Sequence, residues 1–235
     1  MDSPRRLRFE SVAGLALAIA VWSSSHAHSG MHDMSPARGA EKLGTVSFEN
    51  SCKPGVKADL NRAVALLHSF WLDEAERTFA KVADEDPGCA VAYWGESFSQ
   101  LHLINAEPSP ADLAGGRAAL ARADRAAEQT PRETGYLRAL HAFYDGYGPA
   151  RYFEHAQRYA EAMGALAAKY PQDIEAKVFH ALGLLAASPP DDVGLAKPRE
   201  AVAILTPLFR EYPDHPGIAH YLIHATDNPG MARGH

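Results

Sequence analysis

Two cysteines among 235 residues, Cys52 and Cys89, are too few for a thiolate metal cluster or for a fold stapled by several bridges. In an oxidising compartment they suffice for one disulfide, which would tie the segment before the first helix to the start of the third. The alternative is a pair of small, buried apolar side chains. Positive charge is also scarce: 23 Lys and Arg stand against 29 Asp and Glu, a formal net charge of -6. Nucleic-acid binding needs a basic stripe to neutralise phosphates, so no nucleic-acid partner is expected. Long apolar runs are missing. The longest, residues 12–22, has eleven residues, where roughly 20 are needed to span a bilayer. No HExxH pattern, nucleophile elbow or Gly-rich phosphate loop occurs. No catalytic residue and no cofactor are therefore expected.

What is present begins with an N-terminal export pattern. Arg5, Arg6 and Arg8 precede the apolar run, and Ser25, His26 and Ala27 follow it with small residues at the two positions a signal peptidase reads. Residues 1–27 are expected to be a signal peptide, and the mature chain to be periplasmic or secreted. Residues 28–55 mix Gly, Pro, Ser and Asn with little periodicity, which predicts a flexible lead-in with at most one short strand at residues 45–48. His28, Met31, His32 and Met34 in this tail are soft and imidazole ligands that suit copper, or simply a solvated tail.

From residue 56 onward the pattern is helical. Leu60, Ala63, Val64, Leu67 and Trp71 recur at three- and four-residue steps, and so lie on one helix face. Ala75, Phe79, Val82 and Ala83 line a second helix, opened by a capping-box pattern at Asp73 and Glu76. Tyr93, Trp94, Phe98 and Leu101 mark a third. Thr130, Pro131 and Glu133 form a strong helix start. Further helices are expected over residues 111–129, 132–145, 149–169, 173–187, 197–211 and 215–227. Pro87, Pro131, Pro171 and Pro213 each separate one helix from the next, at intervals of 44, 40 and 42 residues. Two helices fit each interval. A helix pair of this kind buries its apolar face only by stacking on its neighbours, so the expectation is an all-α fold, an α-solenoid.

The segment LDEAERTFAKVADEDPGCAVAYWG, residues 72–95, resembles a tetratricopeptide repeat junction: Ala75, Phe79 and Pro87 stand where that family has its small residue, its aromatic and its terminal proline. Ala201, Leu205, Leu208 and Pro213 repeat the scheme, and Tyr159, Met163, Leu166 and Pro171 give a weaker copy. The period exceeds the family's usual length, and the Trp and Gly of its first helix are mostly missing. The stretches LLHSFWLDEAERTFAKVA and DHPGIAHYLIHATDNP are further similar to a group of exported bacterial repeat proteins. Members of that group continue with more helices and another His-containing motif. The resemblance thus implies either a member truncated at His235 or a last helix that docks on something else. It implies TPR-like helix-turn-helix repeats over residues 56–235, and a concave groove for a peptide or an envelope protein partner.

Histidines are the candidate site residues. His220 and His224 are four apart on one expected helix, so both imidazoles face the same way, as two ligands of one metal would. The plainer alternative is two packing histidines. His68 joins them as a metal candidate. With His102, His141 and His180 it lies on the first helices of the repeats, where a groove would take metal, haem or an anionic peptide. Finally, the helix at 215–227 has no following partner, so its Ile218, Tyr221, Leu222 and Ala225 are expected to be exposed and to drive self-association.

Overall fold

The computed structural model describes residues 42–231, apart from residues 105, 127, 128, 149, 150, 190 and 229. The export pattern and the His28, Met31, His32 and Met34 tail lie outside the described residues. Among the described residues, a 3-10 turn, Pro54–Val56, leads into nine helices: α1 (Lys57–His68), α2 (Leu72–Glu85), α3 (Ala90–Ser99), α4 (Pro110–Ala123), α5 (Pro131–Tyr144), α6 (Tyr152–Lys169), α7 (Ile174–Ala186), α8 (Ala196–Glu211) and α9 (Pro216–Thr226). There is no strand among the described residues, and no helix there is long and apolar enough to cross a membrane.

Local chemistry sets the helix starts. Thr130 accepts a hydrogen bond from the Glu133 N–H, and Glu133 accepts one from the Thr130 N–H, closing the capping box at α5. Ser109 and Asp112 form a second box at α4. The box expected at Asp73 does not form. Trp71 occupies the N-cap of α2, and Asp73 and Glu74 fall in its first turn, where they meet the positive end of the helix dipole.

Each helix packs on the next along the chain, and the odd-numbered helices also meet one another: α1 with α3, α3 with α5, and α7 with α9. Their large side chains fill the centre. Trp94 of α3 lies edge-on to Phe179 of α7 at 5.3 Å and to Tyr136 of α5 at 5.5 Å. The last helix is not left open, since α9 packs on α1, α7 and α8. Ile218, Tyr221 and Ala225 are buried and Leu222 is half-buried, so the apolar face expected to drive self-association is already covered.

Residues 42–53, which the sequence places in a flexible lead-in, run as an extended strap over the helices. The Thr45 N–H donates to the Asp214 carbonyl at 2.9 Å. The Phe48 N–H donates to Asn61 at 3.0 Å, the Ser51 N–H to Glu133 at 2.8 Å, and the Lys53 N–H to Asp86 at 2.8 Å. These bonds to helices and turns replace the strand expected at residues 45–48. Val46 and Phe48 of the strap are themselves buried. Cys52 and Cys89 are joined by a disulfide that fixes its end to the start of α3. At Gly44 the backbone has φ +78, and a Cβ there would come 2.2 Å from the Asp214 carbonyl oxygen, so only glycine lets the strap begin this close to the α8–α9 turn.

Candidate functional site

Four of the histidines converge where α1, α7 and α9 meet. His68 ends α1 and is fully buried. Its Nε2 lies 2.8 Å from Glu175 Oε2 and its Nδ1 lies 2.9 Å from the Tyr221 hydroxyl. His215 is the N-cap of α9. Its Nδ1 accepts from the Ile218 N–H at 3.4 Å, and its Nε2 lies 2.9 Å from Glu175 Oε1. Glu175 stands in the first turn of α7, where the helix dipole favours a carboxylate. Space for the His68 ring comes from Gly217: a Cβ at that position would sit 2.5 Å from His68 Nδ1.

The network assigns the protons. Because His215 Nδ1 accepts from a backbone N–H, its proton is on Nε2, which donates to Glu175. His68 donates from Nε2 to the other carboxylate oxygen, and its Nδ1 accepts from the Tyr221 hydroxyl. Burial on its own would raise the Glu175 carboxyl. The two imidazoles beside it outweigh that and hold it down to about 2. Burial lowers His68, against the pull of Glu175, so its imidazole is neutral. Burial pushes the Tyr221 hydroxyl far up. The cluster is thus a carboxylate held by two neutral imidazole donors, with every ring nitrogen paired.

Two histidines and a carboxylate with ligand atoms within 4.8 Å of one another form a recognisable metal-ligand set. The fit is poor. His215 Nε2 must keep its proton while Nδ1 caps α9, and His68, Glu175 and His215 are 0, 3 and 6% exposed. The group Cys52, Asp86 and Cys89 offers no thiolate, since both sulfurs are in the disulfide.

His220 and His224 lie on the outer side of the same junction. His220 Nδ1 donates to the His68 carbonyl at 2.7 Å, which leaves Nε2 bare, and His224 Nε2 stands 3.1 Å from it. The Phe70 ring packs 4.4 Å from the His220 ring and 5.6 Å from that of His224. His68, grouped with this pair from the sequence, touches it only through its backbone. Its side chain belongs to the buried cluster.

The three groove candidates do not share a surface cluster. His102, in the turn after α3, is 3.8 Å from Asp112. His141 pairs with Asp124 at 2.9 Å. His180 lies half-buried against Gly164 of α6. Sequence reading missed Glu175 and His215. The run Asp214, His215, Pro216, Gly217 carries a usable signal, because a side chain just before a helix-starting proline is in N-cap position. Glu175 looks like any first-turn acid.

A second feature lies on the outer edge. Three adjoining clefts, of about 330, 340 and 460 Å3, are linked through common walls: Glu49, Arg132 and Tyr170 line the first two, Pro131 the second and third, and Lys169 the first and third. Together they form a trough between the strap, the start of α5 and the end of α6. Arg132 is held by a bidentate pair with Asp173, at 2.6 and 2.9 Å. Arg138 and Lys169 line the trough, are exposed, and have no ion pair among the described residues.

Compared with family models, with curated proteins and with solved structures, the chain finds no match.

Proposed function

We propose that this chain is an exported, non-catalytic binding scaffold of TPR-like helix pairs, and that it takes an extended, acidic segment of a partner protein in the outer trough. The observation that carries the reading is the pairing state of the trough: Pro131, Leu166 and Tyr170 give it apolar walls, while Arg138 and Lys169 stand in it without carboxylate partners. An acidic segment supplies the missing charges, and its apolar side chains find the walls. The usual alternative, a central concave groove, is disfavoured because aromatic side chains fill the centre. The non-catalytic reading draws support from the fully paired, sealed state of the His68, Glu175 and His215 cluster. Export draws support from the Cys52–Cys89 disulfide, since such bonds persist in oxidising compartments.

The test is co-isolation from the envelope fraction with the full chain and with the double substitution Arg138→Glu plus Lys169→Glu. Both residues are exposed, so the fold survives the change. A partner retained by the wild type and lost from the variant supports the reading. Equal recovery by both would overturn it.

A further inference from the structure

The geometry points to a transition-metal site on the outer face of α9, in which His220 Nε2 and His224 Nε2 bind one borderline divalent cation of the Zn2+, Ni2+ or Cu2+ class. Three independent observations carry this. The first is separation. Two nitrogens each ~2.0–2.1 Å from one ion stand about 3 Å apart at a right angle and about 3.4 Å apart at the tetrahedral angle. The two Nε2 atoms are 3.1 Å apart.

The second is orientation. A ligating histidine ordinarily gives its other ring N–H to a carbonyl or carboxylate, which fixes the tautomer and turns the lone pair toward the ion. His220 does this, donating from Nδ1 to the His68 carbonyl at 2.7 Å. That carbonyl sits at the end of α1, so the acceptor is rigid. The Phe70 ring packs against both imidazoles and holds their planes. Phe70 itself is in the left-handed region, φ 58. This is an uncommon conformation for a bulky residue, of the kind found where a turn serves a ligand clamp.

The third is accessibility. His224 is exposed and lines an open cleft of about 410 Å3 with Ser188, Asp192, Asp227 and Asn228, so an ion and its waters can reach His224, whose Nε2 stands 3.1 Å from that of His220. In the metal-free state His224 Nε2 donates its proton to His220 Nε2. On binding, His224 changes to the tautomer with the proton on Nδ1. Both imidazoles remain neutral and no proton is released. Imidazole pairs select borderline cations, with water filling the remaining positions; Mg2+ and Ca2+, which want oxygen, are excluded.

The probe is Zn2+ alone, titrated by calorimetry into the full chain and into His224→Ala. In parallel, imidazole nitrogen resonances are followed in long-range 1H–15N spectra. His224 is exposed, so its loss leaves the fold intact, and circular dichroism in EDTA checks this. The wild type is expected to bind one Zn2+ more than the variant, or to bind that ion at least about tenfold more tightly. The His220 and His224 Nε2 resonances move together, and Mg2+ moves neither. Equal Zn2+ binding by both proteins overturns the assignment. So do unmoved Nε2 resonances at saturation, or shifts confined to His68 and His215.

Discussion

His68 Nε2 stands 2.8 Å from Glu175 Oε2 across 107 residues of sequence, with both side chains buried. The bond joins the end of α1 to the start of α7, and His215 and Tyr221 extend it to α9. It pins together the first, seventh and ninth helices. Because the carboxylate is buried, its cost is met only while both donors are present.

Glu175→Ala leaves two buried imidazole N–H groups without acceptors. The expected loss is about 2–4 kcal/mol of unfolding free energy, measured by urea denaturation. Glu175→Gln keeps the shape but offers one acceptor where two are needed, and is expected to cost about 1–3 kcal/mol. An alanine variant as stable as the wild type would show that the cluster is not a pin.

Acid should weaken the fold by a defined route. Glu175 is held from 4.5 down to about 2 in the folded chain. Its contribution is therefore complete above the unfolded carboxylate value and is lost as pH falls from about 4.5 towards about 2, roughly 3 kcal/mol in all. His68, kept neutral by burial, acts in the same direction from about 6.5 downward, because the unfolded chain then binds the proton the folded chain refuses. Urea midpoints measured from pH 7 to pH 3 should fall, and Glu175→Gln should flatten the lower part of that curve.

Gly217→Ala places a Cβ 2.5 Å from His68 Nδ1 in a site with no room to yield. It is expected to destabilise by about 1–3 kcal/mol. Gly55→Ala meets nothing within 4 Å and should be close to neutral. Thermal melts of the two variants make the comparison.

The Cys52–Cys89 bond closes a loop with a sequence separation of 37. Replacing both cysteines by serine is expected to cost about 2–4 kcal/mol. It should also speed hydrogen exchange at the Phe48 amide, whose bond to Asn61 depends on the strap lying in place.

Much of the helical order was legible in the sequence, because three- and four-residue spacing and proline breaks are local signals. The Thr130 and Glu133 capping box was equally plain. The strap was not, since its bonds run to Asn61, Asp86, Glu133 and Asp214, residues distant in the chain. Nor was the covering of α9. A stack of helix pairs suggests an open end, and only the bulk of Trp94, Tyr136 and Phe179 at the centre shows that the odd helices meet. The pairing of His220 with His224 follows from their spacing, whereas the role of His68 rests on Glu175, which no local pattern marks.

The most direct test of the scaffold reading is site-specific photocrosslinking in the intact cell envelope. A photoreactive residue replaces Ala165, which lies exposed in the trough, and, as the control, Glu211, exposed at the end of α8. The account predicts a discrete crosslinked partner from position 165, absent from position 211 and abolished by Arg138→Glu plus Lys169→Glu. A partner captured from position 211 alone, or from position 165 regardless of those charges, would contradict it.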